Sequence, residues 1–471
     1  MGRRFHAKEA GVNQMKPNLS GHFDIVQVQD RLSGQVGENQ SGDKKFWRAK
    51  VELPEMDLLD WLGGMRLYPK FYWSDRQSQN AYATAGSVFQ FSAQNWPGYA
   101  KLFSDIQMIL DKSHPELRLF GGLRFNPGSQ NSPEWQLFGN YKFFIPALEI
   151  FQTPQQQILT YNYSPQKNIQ ERQRMLGLVL TNWNPDMNFP GTKTAIRCNS
   201  RTEIPGQQEW IDRVNHALSM LKKKELDKIV LAKKSLLQFV EPLDTLSIFR
   251  QIRQEYSNSF FFFFQLNPDL TFMGVSPELL YSRRDDRIYS EALAGTRPRG
   301  KNTTEDAHFE KELKNDGKEQ REHRWVSGEI ETNLQDICSE WSCVSREEVI
   351  KLAYVQHLQT QFQGLLKTHT TDGQILEVFH PTPAVAGIPR PTALHHIQKL
   401  ENFDRGWYAG PIGWLSREKT EFAVALRSAL MYKKEALIYG GAGIVSGSEP
   451  VKEWQEVENK LKNFTNLFTG L

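Results

Sequence analysis

The segment Gly440-Gly441-Ala442-Gly443-Ile444-Val445, followed after a short gap by Glu453-Trp454-Gln455-Glu456-Val457-Glu458-Asn459-Lys460, carries most of the information in this chain. It reads as a glycine-rich turn leading into a helix. At about 100° per residue, Trp454, Val457, Leu461, Phe464 and Phe468 form one apolar stripe. Glu453, Glu456 and Lys460 lie along one flank of that stripe, at i, i+3 and i+7. Two acids at a core border suit a hard divalent cation, and glycine amides nearby suit an anion. A surface helix with an i, i+4 Glu–Lys pair fits the same letters, so the rest of the chain must decide.

Working outward, Glu421–Tyr432 and Trp407–Leu415 read as strands before this helix, and Ala436–Ala442 as another. Further upstream, the stretch 205–224 reads as a helix, with Trp210, Val214, Ala217 and Leu221 on one face. The stretch 227–239 alternates like a strand. Thr245–Tyr256 reads as a helix capped by Asp244. Ser259–Leu266 and Leu270–Tyr281 read as strands, the latter pairing with Arg287–Leu293 across Arg284-Asp285-Asp286. Lys314–Ile337 is a long helix and Ala353–Leu365 a strand. Strands and helices mix without βαβ regularity or internal repeat, which is an α+β layout: a large sheet system with helices packed outside. Residues 1–45 are polar and patternless and read as a partly ordered arm. Residues 46–204 hold short strand-like pieces, with 181–206, rich in Asn, Pro and Thr, as the best linker. The stretch 205–471 carries the sharpest patterns.

Composition narrows the function. The 471 residues are 39% hydrophobic and 24% charged with a formal net charge of +3, which gives no case for nucleic acid or an anionic membrane. No apolar run approaches the ~18 residues of a membrane helix; Phe260–Phe264 reads as a buried strand. Met1-Gly2-Arg3-Arg4-Phe5 lacks an apolar signal core, and Glu9, Asp24 and Asp30 argue against a transit peptide. Cys198, Cys338 and Cys343 lie in no CxxC pair, so a disulfide framework or zinc site is not expected, and a reducing cytoplasm fits.

Several residues stand where their chemistry is costly. Lys228 opens the strand Lys228-Ile229-Val230-Leu231-Ala232 on the face shared with Val230 and Ala232; buried, it becomes a candidate general base, and exposed, it is an ordinary strand-end lysine. Glu278, in Gly274-Val275-Ser276-Pro277-Glu278-Leu279-Leu280, costs several kcal/mol to bury charged. It is therefore a protonated acid or is turned to water. Glu322 heads the i, i+4 row Glu322, Val326, Ile330, Leu334, where acids rarely sit unless paired or metal-bound. Glu291 through Gly300 is a strand entering a tight turn, and His380-Pro381-Thr382-Pro383 is a proline-stiffened loop. Arg427, within Phe422-Ala423-Val424-Ala425-Leu426-Arg427-Ser428, is a carboxylate clamp or a buried ion-pair partner. A lysine, several acids, an arginine and oxygen-rich turns together suit Mg²⁺ and a small anionic substrate.

Taken together, these motifs resemble the chorismate-utilising enzymes, and among them the isochorismate synthases. The resemblance is dense from 205 to 464 and looser upstream, at Tyr68-Pro69-Lys70-Phe71-Tyr72-Trp73 and Phe120–Phe125. It implies one large domain of two packed antiparallel sheets with helices outside, in place of the three domains that length alone suggests. By the same resemblance Lys228 is the general base and Glu278 the general acid. Glu322 and Glu456 are Mg²⁺ ligands, with Glu453 an outer acid. Arg427, Tyr408, Lys460 and the Gly441, Ala442 and Gly443 amides hold the substrate's carboxylates, and Thr296 and His380 line the pocket. Ala294 stands where aminodeoxychorismate synthases carry a lysine, and the Leu-Leu-Glu-Ser motif of anthranilate synthases is absent. The implied reaction is chorismate to isochorismate, in a monomer without a partner subunit, for menaquinone synthesis. The rivals are a salicylate synthase, a siderophore-pathway isochorismate synthase and a non-catalytic binding relative.

Overall fold

The computed structural model describes residues 25–37, 44–129, 132–184, 196–352 and 355–470. Its first six strands are β1 (Trp47–Leu53), β2 (Lys70–Ser74), β3 (Ala81–Ala93), β4 (Arg118–Leu123), β5 (Tyr141–Gln152) and β6 (Gln157–Tyr163). The next six are β7 (Ile196–Ile204), β8 (Lys228–Phe239), β9 (Phe260–Asn267), β10 (Leu270–Ser276), β11 (Leu279–Arg284) and β12 (Arg287–Pro298). Then come β13 (Cys338–Lys351), β14 (Val355–Leu366), β15 (Gly387–Ile388), β16 (Pro411–Ser416), β17 (Lys419–Val424), β18 (Ser428–Tyr432), β19 (Glu435–Ile444) and β20 (Phe468–Thr469). Among the described residues, 11 α-helices cover this sheet system.

Hydrogen bonding links all the strands into one network that divides at β5. One half of β5 pairs with β4, the other half with β6, and β3 runs beside both. From β3 one arm continues through β2, β9, β10, β18, β19 and β8 to β7. From β4 the other arm continues through β16, β17, β11, β12 and β14 to β13. The arms face each other across an aromatic core: Phe71 meets Phe120 at 5.6 Å, and Tyr82 meets Trp414 at 5.1 Å between ring centroids. Such pairs add to the burial of large apolar surface. Pairing is antiparallel except between β20 and β7, where two residues run parallel.

The chain crosses from one arm to the other at two neighbouring points. Leu270–Tyr281, expected as one strand, is broken at Pro277-Glu278 into β10 and β11, which belong to different arms. Glu421–Tyr432 is broken likewise between β17 and β18, where Arg427 takes a left-handed backbone, φ 44°. The crossings are stitched together: Val424 N donates to Glu278 O at 3.1 Å, Val275 N to Arg427 O at 3.1 Å, and Ser276 Oγ to Val424 O at 2.6 Å. Both fragments are buried on both faces, so alternation ran straight through each break.

Smaller expectations also change. The arm 1–45 lies partly outside the described residues, but Ile25–Gly37 is a helix burying Val28, Leu32 and Val36. Of the linker 181–206, residues 185–195 lie outside the described residues, while β7 pairs with β8. Lys314–Ile337 is two helices, Thr303–Asn315 and Gly317–Ile337, with Asp316 capping the second by accepting from Lys318 and Glu319 N–H groups. The glycines Gly440 to Gly443 are no turn: they lie in β19, paired with β8. No helix among the described residues is long and apolar enough to cross a membrane.

Candidate active site

One pocket opens beside the two crossings. Glu278 and Arg427 reach it from the crossings, Thr296 from β12, Glu322 from the Gly317–Ile337 helix, Gly441 and Gly443 from β19, and Glu456 and Lys460 from the Pro450–Thr465 helix. Tyr408 comes from the loop before β16 and stacks on Tyr439 at 5.4 Å. Strand β19 can border this pocket because it carries almost no side chains there. A Cβ on Gly443 would lie 2.8 Å from Glu322 Oε1 and 3.0 Å from Lys228 Cε, and one on Gly441 would lie 3.1 Å from Tyr408 Oη. These glycines serve by the volume they leave free.

Glu278 has no cation within ion-pair distance among the described residues; Thr382 Oγ1 lies 3.5 Å from its Oε1. Burial first, then the negative charge of Glu291, push its carboxyl up to about 8, so it is protonated at neutral pH. Lys228 is fully buried and donates to Glu322 Oε1 at 2.7 Å, so the exposed alternative is excluded. It sits behind the pocket wall, covered by Glu322. Burial opposes the charge on Glu322, but the lysines around it, Lys228 first and then Lys460 and Lys318, together hold this carboxyl below its ordinary range.

Acids concentrate at the opposite end. Glu319 and Glu322 on one helix face Glu453 and Glu456 on another, each pair spaced i, i+3. Each acid is held by a cation: Glu322 by Lys228, Glu456 by Lys460 at 2.8 Å, Glu453 by Lys318 at 3.1 Å and Glu319 by Arg297 at 2.9 Å. Burial and then the adjacent acid push Glu319 and Glu453 up, through Glu322 and Glu456 respectively. This like-charge crowding of carboxylate oxygens is the donor chemistry of a hard divalent cation. Among the described residues no three such groups are gathered as a ready metal cage. Glu453 lies behind Lys318 rather than on the pocket surface.

Arg427 has no ion-pair partner among the described residues; its Nη2 lies 3.4 Å from His357 Nε2, and burial lowers its pKa to about 10. An unpaired guanidinium in a pocket wall is a waiting carboxylate site. Lys460 Nζ also donates to Gly441 O at 2.9 Å.

Two expected pocket residues are elsewhere. His380 is buried against Phe125, its Nε2 2.9 Å from Phe125 O, so the proline loop lines the pocket through Ala384 and Val385 instead. Ala442 points to the opposite face of β19, as alternation demands between two pocket-facing glycines. The sequence reading missed His357 and Glu319. His357 lies 3.0 Å from Thr296 Oγ1, and burial and then Arg427 push it down to about 3, leaving it neutral. Glu319 accepts from Thr296 N at 2.9 Å. Its signal was present: it precedes Glu322 at the spacing that drew attention to Glu453 and Glu456.

Comparison with known proteins agrees with this geometry. Residues 30–469 match the family model described as chorismate binding enzyme. The chain is 32% identical to isochorismate synthase MenF of Bacillus subtilis over 85% of this chain and 88% of that protein. It is 33% identical to the chloroplastic isochorismate synthase 2 of Arabidopsis thaliana over 80% of this chain and 67% of that protein. The structure of MenF, the menaquinone-specific isochorismate synthase of Escherichia coli, superposes with a TM-score of 0.84 at 27% identity, covering 95% of this chain and all of that one. With its two-armed sheet, its glycine-bared strand and its acid-rich pocket, the chain belongs to the chorismate-binding enzymes, on their isochorismate synthase branch.

Proposed function

We propose that this chain converts chorismate into isochorismate with Lys228 as general base and Glu278 as general acid, in a Mg²⁺-dependent reaction that feeds menaquinone synthesis. The observation that carries the reading is the protonated, unpaired Glu278 in a pocket that also holds the unpaired Arg427. A carboxylic acid kept neutral can donate a proton to a leaving hydroxyl. Arg427, Lys460 and Tyr408, with Thr296 and the bare edge of β19, receive the substrate's carboxylates. Lys228 takes a proton from the water that adds at C2. The ring double bonds shift, and Glu278 gives its proton to the C4 hydroxyl as it departs. For this Lys228, which donates to Glu322 Oε1 at 2.7 Å, must first give up that proton and meet the water as a neutral amine. Glu322 and Glu456, backed by Glu453 and Glu319, would hold Mg²⁺, which when bound supplies the positive charge that fixes the ring carboxylate.

Ala294 lines the pocket and leaves space for water where an amine would otherwise stand. The free cysteines Cys198, Cys338 and Cys343 fit a reducing cytoplasm. The menaquinone assignment draws on the E. coli relative. Incubation with chorismate and Mg²⁺ should give isochorismate alone by chromatography; salicylate with pyruvate would replace this reading with a salicylate synthase. Expression in a strain lacking its menaquinone isochorismate synthase should restore menaquinone, and failure there with restored siderophore would move the pathway.

A further inference from the structure

Glu278 sits in the break between β10 and β11, where Val424 N still donates to its carbonyl but the regular ladder stops. Its neighbours are held by side chains instead. The Pro277 carbonyl accepts from Arg76 Nη2 at 2.5 Å, and the Leu279 amide donates to Glu291 Oε1 at 2.9 Å. Arg76 and Glu291 are ion-paired, and Arg76 Nη1 also donates to Glu291 Oε2 at 2.8 Å. Gln359 Nε2 fixes Glu291 from β14, donating to Oε2 at 2.6 Å. Glu291 is 4% exposed and faces inward from β12. A single buried carboxylate thus ties the turn before β3, through Arg76, to the peptide units on either side of Glu278.

We infer that Glu291 is a positioning residue for Glu278, acting through Arg76 and through the backbone of Pro277 and Leu279. The inference rests on the reading of Glu278 as the acid and extends it to residues outside the pocket surface. A proton donor must sit within hydrogen-bond reach of its leaving group, and small displacements are costly in rate. Among the described residues Glu278 has no ion pair to hold its side chain, so its placement depends on its backbone. The charge of Glu291 acts as well. The charged groups around the Glu278 carboxyl are Glu291, which favours the protonated form, and Lys228 and Arg76, which oppose it, while the Thr382 hydroxyl stabilises the ionised form. Burial contributes most, and the Glu291 charge next.

The test compares pH profiles of kcat/KM for wild type, Glu291→Gln and Glu278→Gln. In Glu291→Gln the shape and the acceptor for Leu279 remain while the charge goes. Its alkaline limb should move to lower pH by about half a unit or more, with kcat falling roughly tenfold and the chorismate KM changing less than about twofold. If Glu278→Gln is inactive but Glu291→Gln keeps the wild-type limb and kcat, this inference is overturned. If Glu278→Gln itself keeps wild-type turnover, the acid assignment falls instead. Should Glu291→Gln fail to fold, Arg76→Gln carries the test. Removing that positive charge should move the limb to higher pH with a lowered kcat, and an unchanged limb and kcat there would also overturn the inference. A purely structural role would lower Tm in these variants and leave the limb in place.

Discussion

At one end of the pocket a single carboxyl, Glu278, has no cation within ion-pair distance among the described residues; at the other, Glu319, Glu322, Glu453 and Glu456 each hold one. The lone acid is kept neutral by burial beside another negative charge, while Glu322 is kept ionised by the ammonium that reaches it. The supporting architecture differs too. Glu278 is pinned through its backbone at a crossing between two sheet arms, whereas the four others ride on two helices at i, i+3 spacing. One side-chain type thus holds its proton in one place and is ion-paired in the other, and environment alone separates the two.

The largest effect tests the proposed cation at the acid-rich end. EDTA should abolish turnover and Mg²⁺ should restore it; full activity in metal-free buffer would remove the cation-site reading. Next in size are the two residues assigned to proton transfer. Glu278→Gln and Lys228→Ala should each lose on the order of a hundredfold or more in kcat. The double variant should be little worse than either single one, because both serve one step. Multiplicative losses in the double variant would separate their roles.

The border between the two ends is probed by Gly443→Ala. Its new methyl would stand 2.8 Å from Glu322 Oε1 and 3.0 Å from Lys228 Cε, so the pair must shift. We expect about a tenfold loss of kcat with little change in thermal stability, and a Tm falling in step with activity would point to general misfolding instead. The smallest effect concerns stability. The Glu278 carboxyl is raised from an ordinary 4.5 to about 8, so the folded state holds its proton more tightly than the unfolded state. That contribution is full below pH 4.5 and is lost as pH rises through about 8. Glu278→Gln cannot titrate, so its Tm relative to wild type should rise by a few degrees between pH 6 and pH 9. A constant difference across that window would place the Glu278 pKa near its ordinary value.

Much of this arrangement was legible in the letters because the helices carry strong periodicity. The row Glu322, Val326, Ile330, Leu334 and the stripe through Val457, Leu461 and Phe464 are both seated on the core. The strands were harder. Where both faces are buried, alternation carries no signal for where a strand stops, so the breaks at Pro277-Glu278 and before Arg427 were invisible although they create the site. The proline was the available clue to the first break. The glycines between 440 and 443 were read as a turn whose amides suit an anion, but in β19 they leave empty volume, which only the packed neighbours reveal. His380 was placed in the pocket by resemblance, and the neutral histidine there is His357, from a strand that was recognised but whose polar residues were not singled out.

The interleaving of the two arms has a consequence for synthesis on the ribosome. β2 needs β9 as its outer neighbour, and β4 needs β16; Gly122 must wait for Ile412, about 290 residues further along. At ~5–20 residues per second that delay is roughly 15 to 60 s. Throughout it the nascent N-terminal strands present bare polar edges and the aromatic faces of Phe71, Tyr82 and Phe120. Exposed edges of this kind pair readily with other chains. Yield in the cell should therefore depend on chaperones that hold nascent chains, and on elongation rate, more steeply than the stability of the finished fold suggests.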